Sequence, residues 1–309
     1  MRCANNLRQL GLAMHNHHTA HAAFPLGMVC SASNTCDADA GAFTTLLPYL
    51  EQDNTHRLYH FDQPWFGANN YEAVGLEVKL YFCPSNRADG RIDLAPMAAQ
   101  WSCPLPPYAG ALDYALNKGA SGSLHPRGKR VPAAVRGAFD IGPPEDSHRG
   151  VRVTDIGDGS SGTFAMGEAA GGTPGLIVRS LDDPASPAID PETGQGAIID
   201  QSWGAAGVGD TGHPWYGSVF AVTAQFGLSP DPRDEPMNRL LLTPTVYGGD
   251  FRPDNSAGKD YVSGYRSRHT GGCNFLFCDG STRFLRASIT PAVYRALSTS
   301  NGGESLSGE

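Results

Sequence analysis

His269 and Asp279, with nine residues between them and Gly280 directly behind, are the residue types of an acid/base pair. Such a pair needs hydrogen-bond reach. Most of the intervening segment reads as β-strand, and an extended chain of that length spans about 33 Å, so the two side chains are expected at opposite ends of it. Asp279-Gly280 then reads as a hairpin turn that uses positive φ. His269 with Cys273 and Cys278 is a conceivable zinc set, but cysteines five apart on a regular strand face opposite sides. His15, His17, His18 and His21 offer helical i, i+3 and i+4 pairs of the kind that bind zinc or copper. No carboxylate or cysteine stands beside them, and the plainer reading is a helix end whose imidazoles pack on a sheet or cap carbonyls. Asp155, Asp158 and Glu168 supply oxygen ligands suited to calcium, without the spacing of an EF-hand loop. A polar turn at Asp158-Gly159 explains the same residues.

The nucleophile elbow G-x-S-x-G, the phosphate loop G-x4-G-K-[ST] and the zinc helix H-E-x-x-H are all missing from the sequence, which argues against an enzyme. A triad built from distant residues keeps a hydrolase of the cell envelope as a third reading.

The elements that must position these residues follow from periodicity. Leu7, Leu10, Gly11, Met14, His18 and His21 recur at three- and four-residue steps, which predicts an amphipathic helix from Ala4 to His21, ended by Phe24-Pro25. Phe43 to Gln52 predicts a short helix, and Tyr71 to Phe82 a helix leading into a strand that stops at Cys83-Pro84. Leu112 to Leu116 is a candidate strand. Val151 to Ile156 and Thr163 to Met166 read as two strands joined at Asp158-Gly159-Ser160. The stretch 169–264 is rich in Gly, Pro and Asp with short apolar pieces, and reads as a decorated insertion. Cys273 to Cys278 and Thr282 to Leu285 form a hairpin, with Phe275 and Phe277 on one face, Leu276 on the other, and both faces buried. Thr290 and Pro291 then start a helix that stops at Asn301-Gly302-Gly303, and a flexible tail is expected from there.

Charged residues are only 17% of the 309 and the net charge is −8, so a phosphate-tracking groove and a nucleic-acid partner are not expected. No apolar run is long enough to span a bilayer. Seven cysteines occur at 3, 30, 36, 83, 103, 273 and 278, none in a CxxC pair. That scatter suits disulfides in an oxidising compartment. Cys30 with Cys36, and Cys83 with Cys103, flank turn-rich segments and would close short loops. The pairing of Cys3, Cys273 and Cys278 stays open.

The segments RCANNLRQLGLAMHNHHTAHAAFP, FDQPW followed by YFCPS, VTDIGDGSSGTFAMGE and SRHTGGCNFLFCDGSTRFL, in this order, resemble a large planctomycete family of prepilin-like proteins. Its domain is catalogued as of unknown function 1559 and its ending is named for an H-x9-DG pattern, here His269, Asp279 and Gly280. The resemblance implies an α+β fold in which a pilin-like N-terminal spine helix packs on an antiparallel sheet with long loop-rich insertions. It implies one domain over 1–309: the second half of the spine helix at 1–23, the insertion at 169–264, the hairpin and short helix at 265–298, and the tail at 299–309. A prepilin leader and an apolar helix are expected upstream of Met1, anchoring the precursor in the inner membrane. The implied role is assembly or adhesion at the cell envelope or outside it, with other pilin-like subunits or secretion machinery as partners. A second reading makes 169–264, with Trp203, Trp215 and Tyr216, the cleft of an extracellular module that binds a glycan, peptide or other solute.

Overall fold

In the computed structural model the stripe of the N-terminal segment becomes α1, Arg2–His21, which buries Cys3, Leu7, Leu10, Gly11, Ala13, Met14 and His17. The residues described are 1–30, 38–95, 98, 104–120, 133–142, 150–171, 200–204, 219–225, 233–234, 236–238 and 264–304. The last turn differs from expectation, because His17 and not His21 lies inward. The chain reverses at Ala22, which adopts a left-handed conformation with φ of 60°. The reversal returns the Ala23 carbonyl to within 2.9 Å of His17 Nδ1. His21 stays outside and meets the Tyr49 hydroxyl at 3.1 Å.

Strands β1 (Met28–Cys30) and β2 (Ala38–Gly41) pair antiparallel, and the short helices α2 (Ala42–Leu46), α3 (Asp53–Leu58) and α4 (Tyr71–Val74) follow. No strand forms over 78–82. Val78 and Tyr81 are each buried from a turn, and the Tyr81 hydroxyl donates to the Phe43 carbonyl. Strands β3 (Arg91–Asp93) and β4 (Tyr108–Gly110) make a small hairpin-like pair. β5 (Tyr114–Gly119) enters the main sheet, and β6 (Ile141–Gly142) runs parallel to β1. Val153–Asp155 is one 3-10 turn and not the expected strand. The Arg152 guanidinium closes it on Asp155 at 2.8 Å, an interaction that an extended strand could not make.

The remaining strands are β7 (Phe164–Glu168), β8 (Phe220–Val222), β9 (Ala224–Gln225), β10 (Arg233–Asp234), β11 (Gly272–Phe277) and β12 (Thr282–Arg286). The main sheet has five strands in the order β12-β11-β7-β5-β8. All its pairings are antiparallel except β5 with β8. The stretch 169–264 therefore supplies a strand of the sheet itself. Trp203 from the same stretch is fully buried, its indole N–H donating to the Leu76 carbonyl at 2.8 Å.

Both faces of this sheet are covered. α1 packs on β11 and β12, so that Leu7, Leu10 and Met14 share one core with Leu116, Met166 and Leu276. Each such fully buried side chain contributes about 1.5–3 kcal/mol. The approach is closest at Gly11, where a Cβ would lie 2.7 Å from Leu276 Cδ1. The opposite face holds an aromatic core of Phe164, Tyr265, Phe275, Phe277 and Tyr294. Phe164 and Met166 reach different faces because Phe277 pairs with Phe164 and Leu276 with Met166, leaving Ala165 as the extra residue of a bulge,. The fold is α+β. Among the described residues no helix is long and apolar enough to cross a membrane.

Candidate functional site

Strand β11 carries His269 just before its start and Asp279 just after its end, and the two ends have different surroundings. At the far end Gly280 has φ of +85°, and the Gly280 N–H returns to the Phe277 carbonyl at 2.9 Å. The Asp279 carboxylate accepts the Ser281 N–H at 2.8 Å, an Asx-type brace of the turn,. The neighbouring group is His15 of α1, whose ring atoms lie 3.5 Å from where a Gly280 Cβ would stand. Burial, followed by the proximity of His18, pushes the His15 imidazole below its ordinary value.

At the near end the sheet register sets the site. β7 ends on Glu168, which pairs with Tyr114 of β5 on one side. On the other side it lies beside Asn274 of β11, whose backbone N–H and side-chain amide both donate to Glu168 Oε2, at 2.7 and 3.0 Å. The loop before β11 is folded by Ser267, which donates to the Gly272 carbonyl at 2.6 Å and accepts the His269 N–H at 3.1 Å. That fold brings His269 Nε2 to 3.0 Å from Glu168 Oε1. Glu168 is 1% exposed and His269 23%, so the imidazole is the solvent-facing edge of the pair. Burial raises the Glu168 carboxyl above its ordinary value, and the Asn274 and His269 contacts oppose the rise.

Two further segments close on this pair. Cys3, in the first turn of α1, forms a disulfide with Cys83 across 80 residues of sequence, with a Cα–Cα distance of 5.0 Å. Cys83 Sγ lies 3.8 Å from His269 Nε2. The Cys3 carbonyl accepts the Tyr114 hydroxyl at 3.3 Å. The Cys83 loop is held by a buried carboxylate, Asp113, which accepts the Cys83 N–H at 2.9 Å and the Asn86 amide at 2.8 Å. Arg87 bridges Asp113 and Asp200 at 2.9 and 2.8 Å. Although burial disfavours its charge, the two carboxylates hold the guanidinium protonated well beyond its ordinary range. The sulfur atoms of Cys3 and Cys83, a Glu168 oxygen and a His269 nitrogen all lie within 4.8 Å of one another. Sulfur, imidazole and carboxylate in this arrangement suit three kinds of chemistry: a covalent clamp, thiol–disulfide exchange beside a base, and metal ligation by the reduced thiols.

The predicted pairing of Cys83 with Cys103 is thus corrected, since the sulfur of Cys83 is bonded to Cys3. Loop closure favours neighbours in sequence, but here the α1 register delivers Cys3 to the Cys83 loop, where the Asn6 amide also donates to the Phe82 carbonyl at 3.0 Å. Cys36, Cys103 and the side chain of Cys30 lie outside the described residues, and so does the predicted Cys30 pair. Cys273 and Cys278 are buried thiols whose ionisation burial pushes upward. They belong to opposite faces of the sheet and join no group with His269.

The calcium set also comes apart. Asp155 is paired with Arg152, and Asp158 accepts the Gly302 and Gly303 N–H groups at 2.7 and 3.0 Å. Glu168 faces His269 and Asn274 instead. Asp158 is therefore a clamp on the C-terminal Gly-Gly turn, and Gly159, at φ of +89°, shapes the turn beside it. Among the described residues the α1 histidines join no group of metal-ligating atoms; the His17 and His21 rings lie 4.5 Å apart, His15 and His18 both pack on Phe24, and His18 Nε2 accepts the Val153 N–H at 3.4 Å. Sequence reasoning singled out Glu168 and His269 separately and missed their union with Cys3 and Cys83. A signal was present, because each of the four motif segments contributes one member of the cluster.

A family model described as "Protein of unknown function (DUF1559)" matches residues 1–292. The chain belongs to that family. No curated protein and no solved structure matches it significantly.

Proposed function

We propose that this member of the DUF1559 family is the head of a pilin-like or pseudopilin-like surface subunit, whose role is assembly or adhesion and not turnover. The observation that carries the reading is the buried Cys3–Cys83 disulfide. It ties the first turn of α1 to a loop that Asp113 and Arg87 anchor in the head. A helix fastened at its beginning to the body it carries transmits force and position as one piece with that body, as a spine must. Such a bond also belongs to an oxidising compartment, in keeping with a place at the cell envelope. The expected partners are other subunits of the same kind or secretion machinery, with membrane attachment through sequence ahead of α1. The solute-binding reading draws less support, since Trp203 fills the core and Trp215 and Tyr216 lie outside the described residues.

The test is to express the gene with its natural upstream sequence and an epitope tag in its native host, then fractionate and shear the cells. Tagged protein in the envelope and in sheared, sedimentable assemblies, with Cys3 and Cys83 protected from thiol labels, is the expected result. Soluble cytoplasmic protein with both thiols labelled would overturn the reading.

A further inference from the structure

The geometry points to a second state of the same cluster: with the Cys3–Cys83 bond reduced, Cys3, Cys83, Glu168 and His269 form a four-ligand site for zinc or a zinc-like divalent ion. Disulfide and metal are then alternative occupants of one place. This goes beyond the assembly role and does not depend on it.

The donor set is the first support. Two thiolates, one imidazole and one carboxylate are the ligand types that tetrahedral zinc takes. Spacing is the second. A tetrahedral zinc ion, with bonds of about 2.3 Å to sulfur and about 2.0–2.2 Å to nitrogen and oxygen, sets its sulfurs about 3.8 Å apart, sulfur and nitrogen about 3.6 Å, and nitrogen and oxygen about 3.3 Å. Here Cys83 Sγ and His269 Nε2 are 3.8 Å apart, and His269 Nε2 and Glu168 Oε1 are 3.0 Å apart. Two edges of the tetrahedron therefore already stand near their required lengths. The main displacement needed is separation of the two sulfurs, which breaking the S–S bond itself produces. The third support is the surrounding shell. Asn274 holds the second oxygen of Glu168 through two hydrogen bonds. Asp113 fixes the Cys83 backbone, and Ser267 fixes that of His269. Ligands held this way keep their aim when the ion arrives. His269, partly exposed, marks the entry side.

The chemistry balances with an external dithiol as reductant. The dithiol gives two electrons and two protons to the Cys3–Cys83 bond, which breaks to two thiols, and is itself oxidised to a disulfide. Zinc then displaces one proton from each thiol, and both protons pass to solvent.

The experiment uses the full chain with C30S, C36S and C103S, so that cysteines elsewhere cannot ligate, reduced by a phosphine without oxygen. Co²⁺ is added as a spectroscopic reporter and Zn²⁺ as its competitor. One Co²⁺ per chain is expected, with thiolate-to-metal charge-transfer bands and strong tetrahedral d–d bands that one equivalent of Zn²⁺ abolishes, and no such bands in the oxidised chain. H269A and E168Q should each weaken binding at least tenfold, C3S/C83S should remove the charge-transfer bands, and C273A/C278A should leave them. Two measurements on the unmutated cluster do not depend on how the variants fold: Zn²⁺ should raise the Tm of the reduced chain and slow its reoxidation. A reduced chain with no cobalt–thiolate band and a zinc-independent Tm would overturn the proposal, as would bands that persist in C3S/C83S.

Discussion

The two ends of β11 belong to one short sequence pattern, yet they are built by opposite means. At Asp279-Gly280 everything needed lies within a few residues: a positive φ, a return bond to Phe277, and a carboxylate accepting the Ser281 N–H. At His269 the local chain supplies only the imidazole and its Ser267 brace. The partners arrive from α1, from the loop after α4, and from β7. Spacing along the chain therefore says little about whether two residues share a task. His269 lies within 4.8 Å of the sulfur of Cys3, the residue farthest from it in sequence within the cluster, and among the described residues it shares no hydrogen-bond partner with Asp279, which stands at the other end of the strand.

Changes at the two ends should separate along the same line. The largest effect is expected from Cys83→Ala. It releases a crosslink spanning 80 residues, which by loop-closure entropy is worth about 4 kcal/mol of stability. Denaturant unfolding of the oxidised proteins measures it. A loss below about 1 kcal/mol would mean that the clamp carries little of the link between α1 and the head. Gly280→Val is expected to cost about 2 kcal/mol, because an L side chain is strained at φ of +85°,. A Cβ there meets His15 only at ordinary contact distance, so the cost comes from the backbone. The disulfide and any metal binding at the His269 end should be unchanged, and their loss would join what the two ends are held to keep separate.

A smaller effect, in pH dependence, is expected at Glu168. Burial raises its carboxyl in the folded protein. Between the ordinary glutamate value and that raised one, the folded chain keeps a proton that the unfolded chain has released. Stability should therefore fall as pH rises through that window, and the term is fully favourable below it. Glu168→Gln should flatten this part of the stability-versus-pH curve while accepting the Asn274 N–H as before. An unchanged slope would remove Glu168 as its source. Asp279→Asn should have the smallest effect, within about 0.5 kcal/mol, since the amide oxygen can still accept the Ser281 N–H,.

The same contrast accounts for what could be read from the sequence. The hairpin over Cys273 to Leu285, its turn, and the burial of Phe275, Leu276 and Phe277 on two faces all follow from a short apolar run closed by the Asp279-Gly280 turn signal, and the structure carries each of them. The stripe of α1 is equally local, up to the final turn, where the reversal at Ala22 exchanges His21 for His17. Val219 to Val222 could not be assigned to the main sheet because a strand buried on both faces has no alternation to detect,. Val151 to Ile156 carries apolar residues enough for a strand, but its backbone bonds, Asp155 N–H to the Arg152 carbonyl and Ile156 N–H to the Val153 carbonyl, close it into a turn, with Arg152 paired to Asp155 outside and Asn301 donating to the Asp155 carbonyl. The cluster lay furthest from view. Cys3 and Cys83 become neighbours only through the packing of α1 on the sheet, and Glu168 with His269 only through the register of β7 and β11.

Peptide mapping of the unreduced protein, taken from the compartment where it accumulates, tests the union of these four segments most directly. A peptide containing Cys3 joined by a disulfide to one containing Cys83, with Cys273 and Cys278 recovered as free thiols, is the expected result. Cys83 joined to Cys103, or Cys3 and Cys83 each linked to different cysteines, would contradict it.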